Sequence, residues 1–320
     1  MILVKKIGKL KLKGEVLLAP MADYTNIAFR VLAKEYGAAL VYTELISAKA
    51  LTMKSKRTEK MLLVSELEKP VFLQLFGDNP SDFEKAINFV EKKYPDNFIG
   101  YDLNSGCSVP KALKGKYGCL LMNDSQNVGH IISSMKKSTN KPITIKMRLG
   151  LKEETFIEVA KEAIKNGASA ITLHPRLGCQ GYNGEANWDK IAQLKKMVDI
   201  PIIGNGDIKK PSDVIEMKKK TNCDFEMIGR SAIGNAFFFK QANEALRGEN
   251  ISQRNFEDIK KEGERFLELA IEFSLGVNDV RPYFIGLSKG LIGASVLRNR
   301  FGLSKTTEEI ENIFSKYFEE

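Results

Sequence analysis

Eight short runs of β-branched and other apolar residues alternate with amphipathic stretches over the first three quarters of the chain. The runs cover residues 16–19, 40–43, 71–75, 99–103, 143–147, 170–173, 201–203 and 225–228. Each is too short for a helix and is bounded by turn-forming residues, the signature of a buried strand. Residues 80–93, 154–166, 187–198 and 211–220 carry apolar residues at helical spacing between them. Strictly alternating strands and helices predict an α/β chain folded as a (β/α)8 TIM barrel. A doubly wound open sheet is the alternative, and the lack of a G-x-G-x-x-G turn after the first run weighs against it. Past about residue 251 the strand signal stops. Residues 256–275, 280–300 and 306–318 read as helices, punctuated by Gly276 and Gly302. The expected organisation is a barrel over 1–250 and an all-helical C-terminal domain over 251–320.

The apolar fraction of 43% supports a full core for 320 residues. No run approaches the ~18 apolar residues of a membrane span. The start, Met1-Ile-Leu-Val-Lys-Lys, lacks the order of a signal peptide. The four cysteines, 107, 119, 179 and 223, form no Cys-x-x-Cys pair, so no metal site is expected and the reducing cytoplasm is the default location. A net charge of +9 favours a polyanionic partner. In the tail, residues 280–307 hold Arg281, Lys289, Arg298, Arg300 and Lys305 with no acid, a locally basic face.

Barrel enzymes place their chemistry at the C-terminal ends of the strands. Here the first strand ends in Ala19-Pro20-Met21-Ala22, and Glu44 follows the second. Gln74 ends the third, Asn104 to Cys107 the fourth, Lys146 and Arg148 the fifth. His174 and Arg176 follow the sixth, Asn205-Gly206-Asp207 the seventh and Gly229-Arg230 the eighth. The fourth strand is expected to stop at the turn Asn104-Ser105-Gly106, presenting Cys107 on a loop beside Lys111, Lys114 and Lys116. Gly206 and Gly229-Arg230 fall where barrels bind phosphate, since glycine lets the backbone approach an oxyanion closely. Lys146 ends an otherwise buried run and could hold positive charge near an electron-accepting ring. His174 reads as a ligand contact and His130, within a helical pattern, as structural.

Taken in order, these motifs resemble the tRNA-dihydrouridine synthase family over about residues 15–240. The resemblance rests on Leu18-Ala-Pro-Met-Ala22, Gln74-Leu-Phe-Gly77, Asp102-Leu-Asn-Ser-Gly-Cys107, Lys146-Met-Arg-Leu-Gly150, His174-Pro-Arg176, Gln180-Gly-Tyr-Asn-Gly184, Asn205-Gly-Asp207 and Met227-Ile-Gly-Arg230. It implies an FMN enzyme that uses NADPH to reduce the C5–C6 double bond of particular tRNA uridines. By resemblance, Pro20, Met21, Ala22, Gln74, Lys146, His174, Asn205, Gly206, Asp207, Gly229 and Arg230 would hold FMN. Cys107 would donate the proton to C5. Asn104, Lys111, Arg148 and Arg176 would surround the uracil and its phosphate, and Arg281, Lys289 and Arg298 would grip the tRNA. Departures fall at Ser108, where the family usually has proline, at Asp23, Tyr24 and Asn26, at Pro175 and Leu177, and at Ala236-Phe237. The expected partner is tRNA and not a membrane, and the chain is expected to act as a monomer. The competing readings are a free-pyrimidine oxidoreductase of the dihydroorotate type and a non-catalytic RNA-binding module.

Overall fold

The computed structural model describes residues 4–319. Eight parallel strands close into a barrel: β1 (Val16–Leu18), β2 (Val41–Tyr42), β3 (Val71–Phe76), β4 (Gly100–Ser105), β5 (Ile143–Met147), β6 (Ala170–Leu173), β7 (Ile202–Asn205) and β8 (Phe225–Ile228). Neighbours in sequence are neighbours in the ring. The ring closes where Leu17 bridges Leu40, with Leu18 N donating to Leu40 O at 3.0 Å. Side chains alternate faces along each strand. Leu17, Tyr42, Phe72, Ala170, Ile203, Phe225 and Met227 therefore fill the barrel interior. The residues between them, such as Val16, Leu73 and Ile171, pack beneath the surrounding helices.

A hairpin of Val4–Ile7 and Leu10–Lys13 precedes β1. Its Ile7 and Leu12 join the interior cluster and plug the N-terminal end of the barrel. Polar side chains collect at the other end.

The structure corrects two expectations. The fourth strand does not stop before Asn104: β4 runs through Ser105, pairing Asn104 with Lys146 and Ser105 with Met147. The helix expected over 280–300 is two helices, Val277–Leu287 and Ala294–Leu303. Gly290 (φ 83°) and Gly293 (φ 69°) turn the chain between them, a backbone region open to glycine at little cost.

The helical tail is locked onto the barrel beside β8. Glu262, on the helix Phe256–Glu272, is fully buried. It accepts from Ala236 N (2.8 Å), Phe237 N (3.2 Å) and the Tyr283 hydroxyl (2.6 Å), and pairs with Arg254 at 2.9 Å. Ala236 and Phe237 begin the helix Phe237–Arg247, so the carboxylate satisfies N–H groups at a helix start. Alongside, a Cβ on Gly286 would sit 2.5 Å from Ile233 O and one on Gly234 only 1.9 Å from Leu287 N, so glycine alone allows this crossing. Among the described residues no helix is long and apolar enough to cross a membrane.

Glu226 stands on the outer face of β8 and is fully buried. Its Oε2 has no partner. Burial, then the nearby charge of Glu15, pushes its carboxyl up to about 8. A folded-state value above the unfolded one means that the folded chain holds this proton more tightly. The resulting stability is present below about pH 4.5 and is lost as pH rises through 8. Glu226→Gln should therefore melt within about a degree of the parent at pH 5 and roughly 3 degrees or more above it at pH 9. Parallel melting curves for the two proteins across this range would refute the assignment.

Candidate active site

The ends of β1, β5, β6, β7 and β8 converge on one cavity of ≈ 400 Å³. Pro20, Met21, Lys146, His174, Asn205, Gly206, Asp207, Gly229 and Arg230 line it together. Lys289 of the helical tail reaches the same cavity, as do Tyr182, Lys209 and Ser231.

The glycines shape it. Gly206 has φ 115°, and a Cβ there would lie 2.7 Å from His174 Cδ2. At Gly229 a Cβ would face Ala19 and Met21 at 3.6 and 3.7 Å, so its absence keeps backbone open to the cavity. Asn205 is held by its amide, which donates to Met227 O at 2.8 Å.

Charge is arranged asymmetrically. Burial, followed by the positive charges of Lys146, Arg148, Arg176 and Arg230, drives the His174 imidazole down to about 2, so it is neutral. An Arg176 Nη1 approaches its Nε2 at 3.1 Å. A guanidinium can only donate, which fixes the imidazole proton on Nδ1. Burial and Arg148 bring Lys146 down to about 8, against the pull of Asp102. At neutral pH the ammonium remains largely protonated with little hydration. Asp207 answers these cations. Burial raises its carboxyl, but the hydrogen bonds from Arg176 and Ala186 N outweigh that and hold it below the usual range.

A second group of side chains builds the cysteine loop. Thr144 Oγ1 donates to Asp102 Oδ1 (2.5 Å), and Gln74 Nε2 donates to Asp102 Oδ2 (2.7 Å). Asn104 Nδ2 donates to Gln74 Oε1 (2.9 Å). Asn104 Oδ1 in turn accepts from Gly106 N (3.3 Å) and Cys107 N (3.1 Å). A continuous chain of buried amides and one carboxyl thus runs from the barrel interior to the backbone of Cys107. Burial lifts the Asp102 carboxyl to about 6, opposed by Gln74, Thr144 and Lys146. On the far side of the loop, Cys107 O accepts from Cys119 N at 2.8 Å, and Gly118 (φ 67°) leaves room for that contact.

The remaining residues singled out in the sequence lie elsewhere. Gln74 is fully buried, and the two ends of its amide are used by Asp102 and Asn104. Ala22 and Lys111 are exposed and Cys107 half-buried. Arg176, 2% exposed, donates to Asn183 O (3.3 Å), Gly184 O (2.6 Å) and Asp207 (2.7 Å). Arg148 donates to Leu177 O (2.9 Å) and Gly181 O (2.7 Å). Both arginines therefore pin the loop after β6. That loop holds Tyr182 with its ring 3.9 Å from the Arg230 guanidinium carbon, a cation–π contact. Arg281 is tied to Ser304 O within the tail, while Arg298 is exposed. Asp102 and Tyr182 received no role from the sequence. Asp102 shares a strand face with Asn104, two residues on, and that spacing was the available signal.

This site fits a flavin mononucleotide. It offers glycine backbone and Arg230 at the β7 and β8 ends for a phosphate, and a neutral imidazole N–H with a desolvated ammonium for an electron-rich ring. No group of three or more His, Cys, Asp or Glu side chains that could hold a metal occurs among the described residues.

The fold is shared with two larger proteins of known structure. The 6-hydroxypseudooxynicotine amine oxidase of Pseudomonas geniculata superposes with TM-score 0.58 at 12% identity, over 77% of this chain and 49% of that one. Histamine dehydrogenase from Rhizobium sp. 4-9 gives 0.59 at 15%, over 84% and 50%. The chain spans about half the length of each, and the likeness is one of fold. In sequence it is 37% identical over 235 residues to a protein of Aquifex aeolicus named probable tRNA-dihydrouridine synthase, covering 72% of this chain and 73% of that one. A namesake in Rickettsia prowazekii is 31% identical over 320 residues, covering 98% and 97%. The family model described as dihydrouridine synthase (Dus) matches residues 17–320. From the first barrel strand to the end of the helical tail, this chain belongs to the dihydrouridine synthase family.

Proposed function

We propose that the chain reduces the C5–C6 double bond of a uridine in tRNA, with FMN in the strand-end cavity, NADPH as the source of electrons and Cys107 as the proton donor. The observation that carries this reading is the convergence of nine strand-end residues on one cavity while a buried hydrogen-bond chain holds the Cys107 loop. Saturating the bond takes one hydride at C6 and one proton at C5. FMN, when bound, would supply the hydride. Pro20, Met21, Asn205 and Gly206 would hold the flavin ring and ribityl chain, and Gly229 and Arg230 the phosphate. The Lys146 ammonium and the His174 Nδ1–H would stabilise negative charge on the reduced ring. The Cys107 thiol would give its proton to C5 and recover one from solvent, the work of a positioned general acid.

A uridine must leave its base stack to enter a barrel mouth. Asn104 and Lys111 would meet the uracil and its phosphate. Arg148 and Arg176 act through the Tyr182 loop that they fix. Lys289 and Arg298 on the tail would meet the surrounding tRNA backbone, with Arg281 supporting that surface from within. In this reading the chain works as a monomer in the cytoplasm, in keeping with its four free cysteines.

The test follows the flavin. Purified protein should release FMN on denaturation, and its flavin absorbance should bleach with NADPH under anaerobic conditions. Adding tRNA that lacks dihydrouridine should restore the oxidised spectrum, whereas free uridine or orotate should not. Reoxidation by orotate but not by tRNA would transfer the chain to free-pyrimidine chemistry.

A further inference from the structure

The closed end of the barrel carries a charge arrangement that the mouth does not use. The plugging hairpin holds Lys5, Lys6, Lys9, Lys11 and Lys13 and no acid. Its inward face is apolar apart from Lys5, which pairs with Glu15 at 3.0 Å. Its outward face carries Lys6, Lys11 and Lys13, with Lys9 at the turn, and all four are exposed. Lys6 stands directly opposite Lys11 in the strand register. Like charges facing each other across an antiparallel pair cost stability. None of the four forms an ion pair among the described residues, although acids serve other lysines nearby.

More cations border this face. Glu15 bridges Lys5 to Lys218, which brings the end of the helix Pro211–Thr221, with Lys218, Lys219 and Lys220, against the hairpin. Lys195 joins through Asp224 at 2.6 Å. Lysines at helix C-termini are accounted for by the helix dipole. The hairpin lysines are not, since no helix ends there. They form a self-repelling cationic surface on the face opposite the active cavity.

We propose that this face docks the phosphate backbone of a double-stranded RNA segment distinct from the one whose nucleotide enters the mouth. Same-face lysines along a strand stand about 7 Å apart, a row of point charges suited to phosphates. Single-stranded RNA is gripped by base stacking on aromatic rings, and residues 4–13 contain none. An anionic membrane surface is usually bound with apolar side chains turned outward, whereas Ile7 and Leu12 are buried here. Docking at this end tethers the enzyme to structured RNA while leaving the mouth free, which raises the local concentration of substrate loops.

The test uses the full chain and a blunt RNA duplex of roughly 20 base pairs with no loop. Binding is measured across a salt series for the parent, for the triple variant Lys6→Glu, Lys11→Glu, Lys13→Glu, and for the same three changed to Gln. The proposal expects duplex binding by the parent. In the Glu variant the salt slope of log K should be shallower by about 2 to 3 and binding at least ~10-fold weaker, with the Gln variant between the two. Melting temperature should hold or rise in the Gln variant, because a like-charge pair is removed, and turnover at saturating tRNA should be unchanged. Duplex affinity and slope equal to the parent's would overturn the proposal. So would loss of turnover at saturating tRNA in step with duplex binding, which would put the face on the substrate's own path. Binding to phosphatidylglycerol vesicles without duplex binding would reassign it to a membrane. Duplex binding is read without reductant, so it stands or falls separately from the reaction at the mouth.

Discussion

Cys107→Ala should lower uridine reduction by about 10²- to 10⁴-fold, the usual contribution of a positioned general acid, while bound flavin and its reduction by NADPH stay near the parent's. The separation follows from the architecture. Cys107 is not among the residues lining the cavity of ≈ 400 Å³, so truncating it removes no wall. Its backbone N–H, not its thiol, completes the chain through Asn104, Gln74 and Asp102, so the loop keeps its shape in the variant. Single-turnover reoxidation by tRNA, set beside the rate of bleaching by NADPH, distinguishes the two steps. Full reoxidation at the parental rate would mean that another group delivers the proton. Loss of flavin in the same variant would mean that the thiol builds the cavity instead.

Glu262→Ala should cost about 3–5 kcal/mol, the usual penalty for removing one partner of a buried pair. The substitution strands the Arg254 guanidinium, two N–H groups at the start of the helix Phe237–Arg247, and the Tyr283 hydroxyl. In a chain of this size that corresponds to a fall in melting temperature of roughly 4–8 degrees. The loss should concentrate where the tail meets the barrel, and hydrogen exchange at residues 237–247 and 277–287 should quicken ahead of the inner strands. Because Lys289 follows directly on this contact and lines the cavity, tRNA turnover should weaken before flavin binding does. Removing both charges, as in Arg254→Leu with Glu262→Met, should recover much of the stability. A melting curve unchanged in Glu262→Ala would show that the tail is held by its apolar contacts alone.

The strands could be read because each is a compact apolar run between turn residues, and the strand ends could be read because barrel topology brings them together. Four features were harder, each for a physical reason. Asn104 and Ser105 look like a turn in sequence, yet they extend β4 because Asn104 Nδ2 finds Gln74 Oε1 inside the barrel end and both residues pair with β5 through Lys146 and Met147. The N-terminal hairpin hides behind its lysines. Only Ile7, Leu10 and Leu12 at alternating positions around Gly8 signal that one face is buried. The break at Gly290 and Gly293 interrupts a stretch whose apolar spacing continues a helix, so the glycines outweighed the pattern. The Asp102–Gln74–Asn104 chain depends on the register of β3 against β4, which pairs Gln74 with Asp102. No one-dimensional spacing encodes that pairing. Arg148 and Arg176 show the opposite limit. Their place after strand ends was visible, but their use in holding the Tyr182 loop emerges only from their hydrogen-bond partners.

The most direct measurement weighs nuclease fragments of tRNA after incubation with the protein and NADPH in the absence of oxygen, starting from tRNA made without dihydrouridine. The account predicts that one uridine-containing fragment gains two hydrogens, and that the gain disappears with Cys107→Ala. Fragments of unchanged mass, from native tRNA of a strain lacking this protein and in the presence of flavin that NADPH still bleaches, would contradict it.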